Sequence, residues 1–317
     1  MKILVTGGNG FVGQNLVKRL LNDNHQVTIT ATSKTNLNVH RTLFSTFEGI
    51  NWRYVYDQDI VFHQMANNDT RCMDKEEMFR ANLIGPIKLF TKAASGGCKK
   101  FIYASTTAIY GNSPAPYTEE TTLQPLNPYA ESKLKFDEFA KNFAKENNVL
   151  VVGLRYCNVY GPGEEHKGRM MSQVGQILKT MIAKKSPTLF KYGEQKRDWC
   201  YIKDIVDANM LAVNAKESGI YNIGSGHSWT FNEIVNFADK AICEKEGIQK
   251  NISNGHLWRE WTSPSYIDCP FPESYQSYTE CDITKARNGF DYNPKYDLKT
   301  GIEEYIKYLS PPFSFPS

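Results

Sequence analysis

The sequence predicts an α/β protein, a doubly wound parallel sheet with a smaller α/β domain interleaved with it. Three observations carry that prediction. A short apolar run, Lys2-Ile3-Leu4-Val5-Thr6, passes through Gly7-Gly8-Asn9-Gly10-Phe11-Val12-Gly13 into a helical pattern from Phe11 to Leu21. Comparable apolar, β-branched runs recur at residues 26–31, 59–63 and 100–105. The last of them ends in the hydroxyl run Ser105-Thr106-Thr107, and Tyr129 and Lys133 follow four residues apart, as on one face of a helix.

Composition bounds the function. With 317 residues the chain can bury a large core, and 41% hydrophobic and 22% charged residues with a net charge of +3 describe an ordinary globular protein. That charge is too mild to argue for nucleic acid, and no Lys/Arg block exceeds pairs such as Lys99-Lys100 and Lys184-Lys185. No apolar run approaches the ~20 residues that span a bilayer. The glycine-broken N-terminal stretch lacks an export-type signal, so a cytoplasmic protein without a membrane partner is expected. Seven cysteines without a C-x-x-C pair fit reduced thiols better than a disulfide framework or a metal site.

In chain order, Gly7, Gly10 and Gly13 suit a tight turn, the approach of a pyrophosphate to the backbone, and close helix–sheet packing. The phosphates would lie at the helix N-terminus beside Phe11 and Val12. The strand at residues 26–31 ends without the acid that an NAD-binding chain places there for the ribose 2′-hydroxyl. Thr32, Ser33 and Lys34 follow instead, two hydroxyls and a cation that suit a 2′-phosphate, so NADP is favoured with NAD as the alternative. Residues 52–56, Trp-Arg-Tyr-Val-Tyr, read as a strand that comes too close to the next for an ordinary crossover helix. That helix is either missing or lies earlier, in residues 40–47. Strand 59–63 runs into Gln64-Met65-Ala66-Asn67-Asn68, a polar turn where a cofactor would lie, and His63 is expected to be buried on the strand. A helix carrying Asn82 follows. At the next strand end Ser105, Thr106 or Thr107 could donate to a substrate oxygen. Tyr129 is a poor base at its ordinary pKa near ~10, but a cation alongside, Lys133, would stabilise the phenolate and let the pair move a proton on a substrate hydroxyl.

The second half predicts helices at residues 172–184 and 205–215, a strand at 220–224 returning to the main sheet, and a helix from Thr230 with Glu233 at capping-box spacing. Late helices are expected from Asp282 and over 298–309. The expected division is a nucleotide-binding domain over residues 1–160, with returning segments about 198–224. A substrate domain takes residues 161–197 and 225–310, and 311–317 form a tail.

Taken together, Gly7-x-x-Gly10-x-x-Gly13, Ser105-Thr106-Thr107 and Tyr129-x-x-x-Lys133 resemble the extended short-chain dehydrogenase/reductase superfamily, in the branch that modifies nucleotide sugars. Residues 155–162, Arg-Tyr-Cys-Asn-Val-Tyr-Gly-Pro, match that branch's R-Y-F-N-V-Y-G-P signature with Cys157 in place of Phe, and residues 195–205 resemble its later R-D-F-V-Y-V-x-D-V element. The resemblance implies a Rossmann-type domain, with Gly7, Gly10, Phe11, Val12, Gly13, Met65, Ala66, Asn82 and Lys133 around the cofactor. It also implies that Arg197 meets the nucleotide diphosphate, and that the helices holding residues 76–95 and 128–147 pair between subunits of a homo-oligomer. Glu164-Glu165-His166-Lys167-Gly168 is more particular and resembles the ADP-L-glycero-D-manno-heptose 6-epimerases, in which the equivalent of Lys167 is a proposed second base facing the tyrosine.

The activity implied is epimerisation of a nucleotide sugar by transient oxidation to a ketosugar. Tyr129, Lys133, Ser105, Thr106 and Lys167 would be catalytic, and Asn158, Val159, His166, Lys167, Arg169, Gln176, Phe190, Arg197 and Tyr275 would contact substrate. Sugar selectivity would rest on Arg169, Gln176, Tyr275 and the loop holding Trp258 and Trp261. A UDP-hexose 4-epimerase or a ketosugar reductase would use the same tyrosine and lysine. A 4,6-dehydratase would need an acid pair after Ser105 where this chain has Thr106-Thr107, and a non-catalytic NADP-binding protein is a further alternative.

Overall fold

The computed structural model describes residues 1–44, 49–247, 263–270, 272 and 275–309. Strand β1 (Lys2–Thr6), helix α1 (Phe11–Asn22) and strand β2 (Gln26–Ala31) form the first β-α-β unit. Strand β3 (Arg41–Phe44) flanks β2, and β4 (Ile60–His63) lies on the other side of β1. Helix α2 (Lys75–Phe79), a π-helical turn (Arg80–Ile84) and α3 (Gly85–Ser95) lead to β5 (Lys100–Thr106), α4 (Pro128–Asn147) and β6 (Leu150–Tyr156). The chain then builds β7 (Asn158–Tyr160), α5 (Gln173–Ile182), β8 (Thr188–Phe190), β9 (Lys196–Tyr201) and α6 (Ile202–Ala212). Strand β10 (Gly219–Ile223) returns beside β6, and β11 (Ser228–Thr230), α7 (Phe231–Glu246), β12 (Ser265–Ile267), β13 (Tyr278–Thr279), α8 (Thr284–Phe290) and α9 (Leu298–Tyr308) follow.

The main sheet has seven strands in the order β3-β2-β1-β4-β5-β6-β10, every pair parallel. Both faces are covered, which is why its strands read as continuous apolar runs. Leu16, Val17 and Leu20 of α1 pack with Ile205 and Val206 of α6 in one core cluster, while Leu89 and Phe90 of α3 join Phe136 and Phe143 of α4 in another. The order reverses between β1 and β4, so the turns leaving their carboxyl ends part and open a crevice. A smaller sheet joins β7, β11 and β13 to β9, and β8 pairs with β12. Among the described residues no helix is long and apolar enough to cross a membrane.

One sequence expectation is corrected. The third strand is Arg41–Phe44, within the stretch offered as an alternative helix, and residues 52–54 form a 3₁₀ turn instead of a strand. Asn51 caps that turn by accepting from the Arg53 amide (3.2 Å), and the Arg41 guanidinium lies 3.9 Å from the centre of the Tyr54 ring. The strand was hard to read because it sits at the sheet edge and pairs only with β2, so its burial pattern is weak. The Trp258–Trp261 loop and the tail 311–317 lie outside the described residues.

Candidate active site

The crevice at the β1/β4 reversal is floored by glycine for steric reasons. Gly7 has φ +68°, and a Cβ there would stand 2.9 Å from the Met65 backbone, at the turn leaving β4. A Cβ on Gly13 would fall 2.0 Å from the Gly7 carbonyl oxygen, so the first turn of α1 can sit this close to the loop only with glycine there. Gly10 differs. Its nearest obstacle is the Gly7 oxygen at 3.2 Å, and the open side faces the cleft. Gly10 caps α1 without a side chain, so the amides of the first turn are left for an anion.

A cleft of about 360 Å³ gathers Gly7, Gly10, Phe11, Val12, Gly13, Ala66, Ser105, Thr106, Tyr129, Lys133, Val159, His166 and Lys167. It continues into a recess of about 590 Å³ lined by Asn9, Lys18, Thr32, Ser33, Lys34 and again His166. There Asn9 Nδ2 donates to Ser33 Oγ (2.6 Å), holding the turn after β2 beside the glycine loop. A phosphate-sized gap over Gly10, with hydroxyls and two lysines beyond it, fits a nicotinamide dinucleotide.

At the other end of the cleft α4 begins. Asn127 accepts from the Ala130 amide (2.9 Å) and Pro128 occupies the first turn, so the helix starts just in time to present Tyr129 and Lys133. Lys133 is 2% exposed, and its Nζ donates to the Ala104 carbonyl (2.9 Å) at the end of β5. Burial pulls this ammonium down to about 8, with Asp137 one turn on opposing the drop. Asp137 is itself fixed by Arg155 Nε (3.1 Å) and Tyr103 Oη (2.9 Å). Burial pushes the Tyr129 hydroxyl above its ordinary value, and the neighbouring Thr106 hydroxyl works the other way. Desolvation thus outweighs the Thr106 hydrogen bond at Tyr129, the opposite direction to the lowering expected from Lys133.

The three hydroxyls that end β5 separate clearly. Thr107 Oγ1 donates to the Tyr156 carbonyl (3.1 Å), and Thr106 Oγ1 accepts from the Ala108 amide (3.2 Å) while lying beside Tyr129. Ser105 Oγ is buried and has no hydrogen-bond partner among the described residues. An orphaned hydroxyl inside a reaction cleft costs stability and is ready to donate to a ligand oxygen.

Across the cleft lies the 3₁₀ segment Glu165–Met170. The buried Glu164 spends both carboxylate oxygens on Gly161 and Ser172, and Glu165 serves the Gly163 amide and Tyr305. Lys167 consequently has no carboxylate within 4 Å among the described residues. Its Nζ sits 5.4 Å from the centre of the Phe11 ring, and burial lowers its pKa. Arg169 is exposed, pairs with Asp69 (3.3 Å) and lines neither cavity. Gln176 donates to the Met171 carbonyl (2.8 Å) and bounds neither cavity, whereas Gln173, one turn earlier, does line the next one. These two substrate expectations are corrected, because the kink at Gly168 (φ +53°) re-aims the segment that enters α5.

That next cavity, about 390 Å³, is lined by Asn158, Val159, Gln173, Phe190, Gln195, Arg197 and Tyr275, among others. The Arg197 guanidinium lies 4.8 Å from the centre of the Tyr275 ring, which meets Phe190 edge-on at 5.3 Å. A buried cation on an aromatic ring suits a nucleotide diphosphate and its base.

Asn82 is a further correction. It is buried behind the cleft, where it accepts from the Asn67 amide (2.9 Å) and donates to the Asn67 carbonyl (2.8 Å), so it shapes the turn after β4 without facing the cavity. Met65 likewise contributes backbone against Gly7. Gln64, expected only as part of the turn after β4, and Tyr156, for which no role was expected from the sequence, both line the cleft. The Tyr156 hydroxyl donates to Gln64 Oε1 (3.1 Å) and accepts from Asn209 Nδ2 (2.7 Å), tying β4, β6 and α6 together. The available signal was their place at the carboxyl ends of strands. His63 is buried and bonded to Thr6 Oγ1 (2.7 Å), as expected.

Residues 3–224 match the NAD dependent epimerase/dehydratase family. The chain is 33% identical over 334 aligned positions to the ADP-L-glycero-D-manno-heptose-6-epimerase of Brachyspira hyodysenteriae, covering 97% of each protein. Among solved structures it resembles the ADP-L-glycero-D-manno-heptose-6-epimerase of Helicobacter pylori (32% identity, TM-score 0.83, 97% of this chain and 96% of that one). It also resembles the UDP-glucose 4-epimerase of Thermotoga maritima with UDP-glucose (28% identity, TM-score 0.83, 98% of each chain). The glycine-floored crevice and the Tyr129–Lys133 helix thus belong to a member of the NAD dependent epimerase/dehydratase family, a nucleotide-sugar epimerase using a nicotinamide dinucleotide.

Proposed function

We propose that the substrate is an ADP-activated heptose inverted at C6 and that the dinucleotide is NADP. The observation that supports the sugar is the second amine, Lys167, which lines the same cleft as Tyr129 from a different wall and has no carboxylate within 4 Å among the described residues. A carbinol carbon inverts through a ketone reduced from its other face, and each face needs a group to handle the hydroxyl proton. The bound nicotinamide supplies the reversible hydride acceptor. Tyr129 exchanges the proton on one side, drawing on the Thr106 hydroxyl and the Lys133 charge. Ser105 donates to the developing oxyanion, and Lys167, whose pKa burial lowers, serves the other side. Arg197 and Tyr275 hold the nucleotide.

NADP is supported by Thr32, Ser33 and Lys34 lining the recess beyond Gly10. Lys34→Ala should weaken NADP binding about tenfold and leave NAD unchanged, as measured by fluorescence titration. A homo-oligomer formed through α3 and α4 accompanies this reading, and light scattering tests it.

The decisive experiment identifies the dinucleotide released from the purified protein by mass spectrometry, then follows C6 of ADP-D-glycero-D-manno-heptose by NMR with no added cofactor. NADP with unassisted turnover is expected. Bound NAD would refute the NADP assignment. Inert heptose with interconversion of UDP-glucose would replace the heptose reading by the UDP-hexose 4-epimerase one.

A further inference from the structure

Cys157 follows the last residue of β6, and Cys281 lies 124 positions later, between β13 and α8. Their sulfur atoms are in direct contact, 2.7 Å apart. Backbone bonds pin both residues. The Cys157 amide donates to the Ile223 carbonyl (2.9 Å) and the Cys281 amide to Asp198 Oδ2 (3.3 Å), while the Tyr117 backbone donates to the Glu280 carbonyl and accepts from the Asp282 amide (2.8 Å each), on either side of Cys281. Cys157 lines the reaction cleft and is 7% exposed, whereas Cys281, 2% exposed, lies behind it.

We propose that Cys157 and Cys281 form a reversible oxidation site, closed to a disulfide by a peroxide small enough to enter the cleft. In the first step Cys157 sulfur attacks the peroxide, the O–O bond breaks, and a sulfenic acid and water result. Cys281 sulfur then displaces the second oxygen as water, forming the S–S bond. Two thiols are oxidised by two electrons and one hydrogen peroxide is reduced to two waters. Burial pushes both thiols up, so the attacking thiolate is scarce at neutral pH and the closure is slow, speeding as pH rises.

A metal is the other ligand this cluster could take, since Asp198 is adjacent. The geometry opposes it. Asp198 Oδ1 already accepts from the Ser225 amide and hydroxyl (2.7 Å each), and Oδ2 from the amides of Gly226 and Cys281. A tetrahedral zinc ~2.3 Å from each sulfur would hold them roughly 3.7 Å apart.

The crosslink would act on the nucleotide-side wall. Residues 275–281 carry Tyr275, and Thr279 Oγ1 accepts from Asn158 Nδ2 (3.4 Å), the residue next to Cys157. Tying Cys281 to the end of β6 clamps this limb shut.

The test treats the native, cofactor-loaded protein with hydrogen peroxide, alkylates it under denaturing conditions, and maps the peptides. A Cys157–Cys281 linked peptide should dominate, disappear on reduction with dithiothreitol, and be absent from both Cys157→Ser and Cys281→Ala. Amide exchange over residues 275–281 should slow about tenfold in the oxidised form. Full alkylation of both residues at peroxide levels that oxidise the more exposed Cys72 would overturn the proposal. So would one equivalent of co-purified zinc that is lost in either variant. Neither readout uses a sugar, so failure here is distinct from failure of the heptose reading.

Discussion

At the catalytic end of the cleft, Tyr129 and Lys133 ride one helix and Ser105 and Thr106 end one strand. The wall proposed to hold the nucleotide draws Asn158, Gln173, Phe190, Arg197 and Tyr275 from five separate segments. The first arrangement is set by helical spacing and by the pairing of β5 with β4 and β6. The second depends on how a kinked loop, two short strands and the limb before β13 meet. A regular element places chemistry with little tolerance, whereas a wall built from loops can be re-aimed by one glycine, as at Gly168.

If the rigid end carries the chemistry, Tyr129→Phe should lower kcat by about 10³ while leaving nucleotide binding intact. An equal loss of kcat and of affinity by calorimetry would break the distinction between the two regions.

Ser105→Ala sharpens it from the stability side. Removing a buried hydroxyl that has no partner among the described residues should raise stability by about 1 kcal/mol, and removing the proposed oxyanion donor should lower kcat by about 10². A thermal melt and a rate on the same sample decide, and a variant that is less stable would show that the hydroxyl is satisfied in solution.

Lys133 gives a pH signature. Its pKa is about 8 in the fold against 10.5 for the ordinary side chain. Between these values the unfolded chain holds a proton that the native state has released, so stability rises with pH there, and the cost of burying the charge is fully present below 8. The wild type should gain in Tm over Lys133→Met as pH rises from about 8 toward 10. Turnover should run the opposite way, falling as the ammonium is lost above about 8. A Tm difference that is flat over this range would show that Lys133 stays charged.

The smallest effects are expected on the nucleotide wall. Gln173→Ala should raise KM roughly threefold without changing kcat, and Gln176→Ala should leave KM within about twofold because its side chain holds the Met171 carbonyl. The reverse order would mean that α5 turns in solution.

Much of this protein was determined by its sequence alone. Local geometry made the glycine loop, the Thr230–Glu233 capping box and the Tyr129–Lys133 face legible, because each rests on contacts within a few residues or on helical period. Only the tertiary structure decided which of Ser105, Thr106 and Thr107 has no partner among the described residues, that Asn82 serves a turn, and that Arg169 pairs with Asp69 and Gln176 with the Met171 carbonyl. The same holds for the edge strand Arg41–Phe44, which one neighbour specifies, and for the meeting of Cys157 with Cys281. Those outcomes depend on partners far along the chain, and no local period encodes a partner that arrives from another segment.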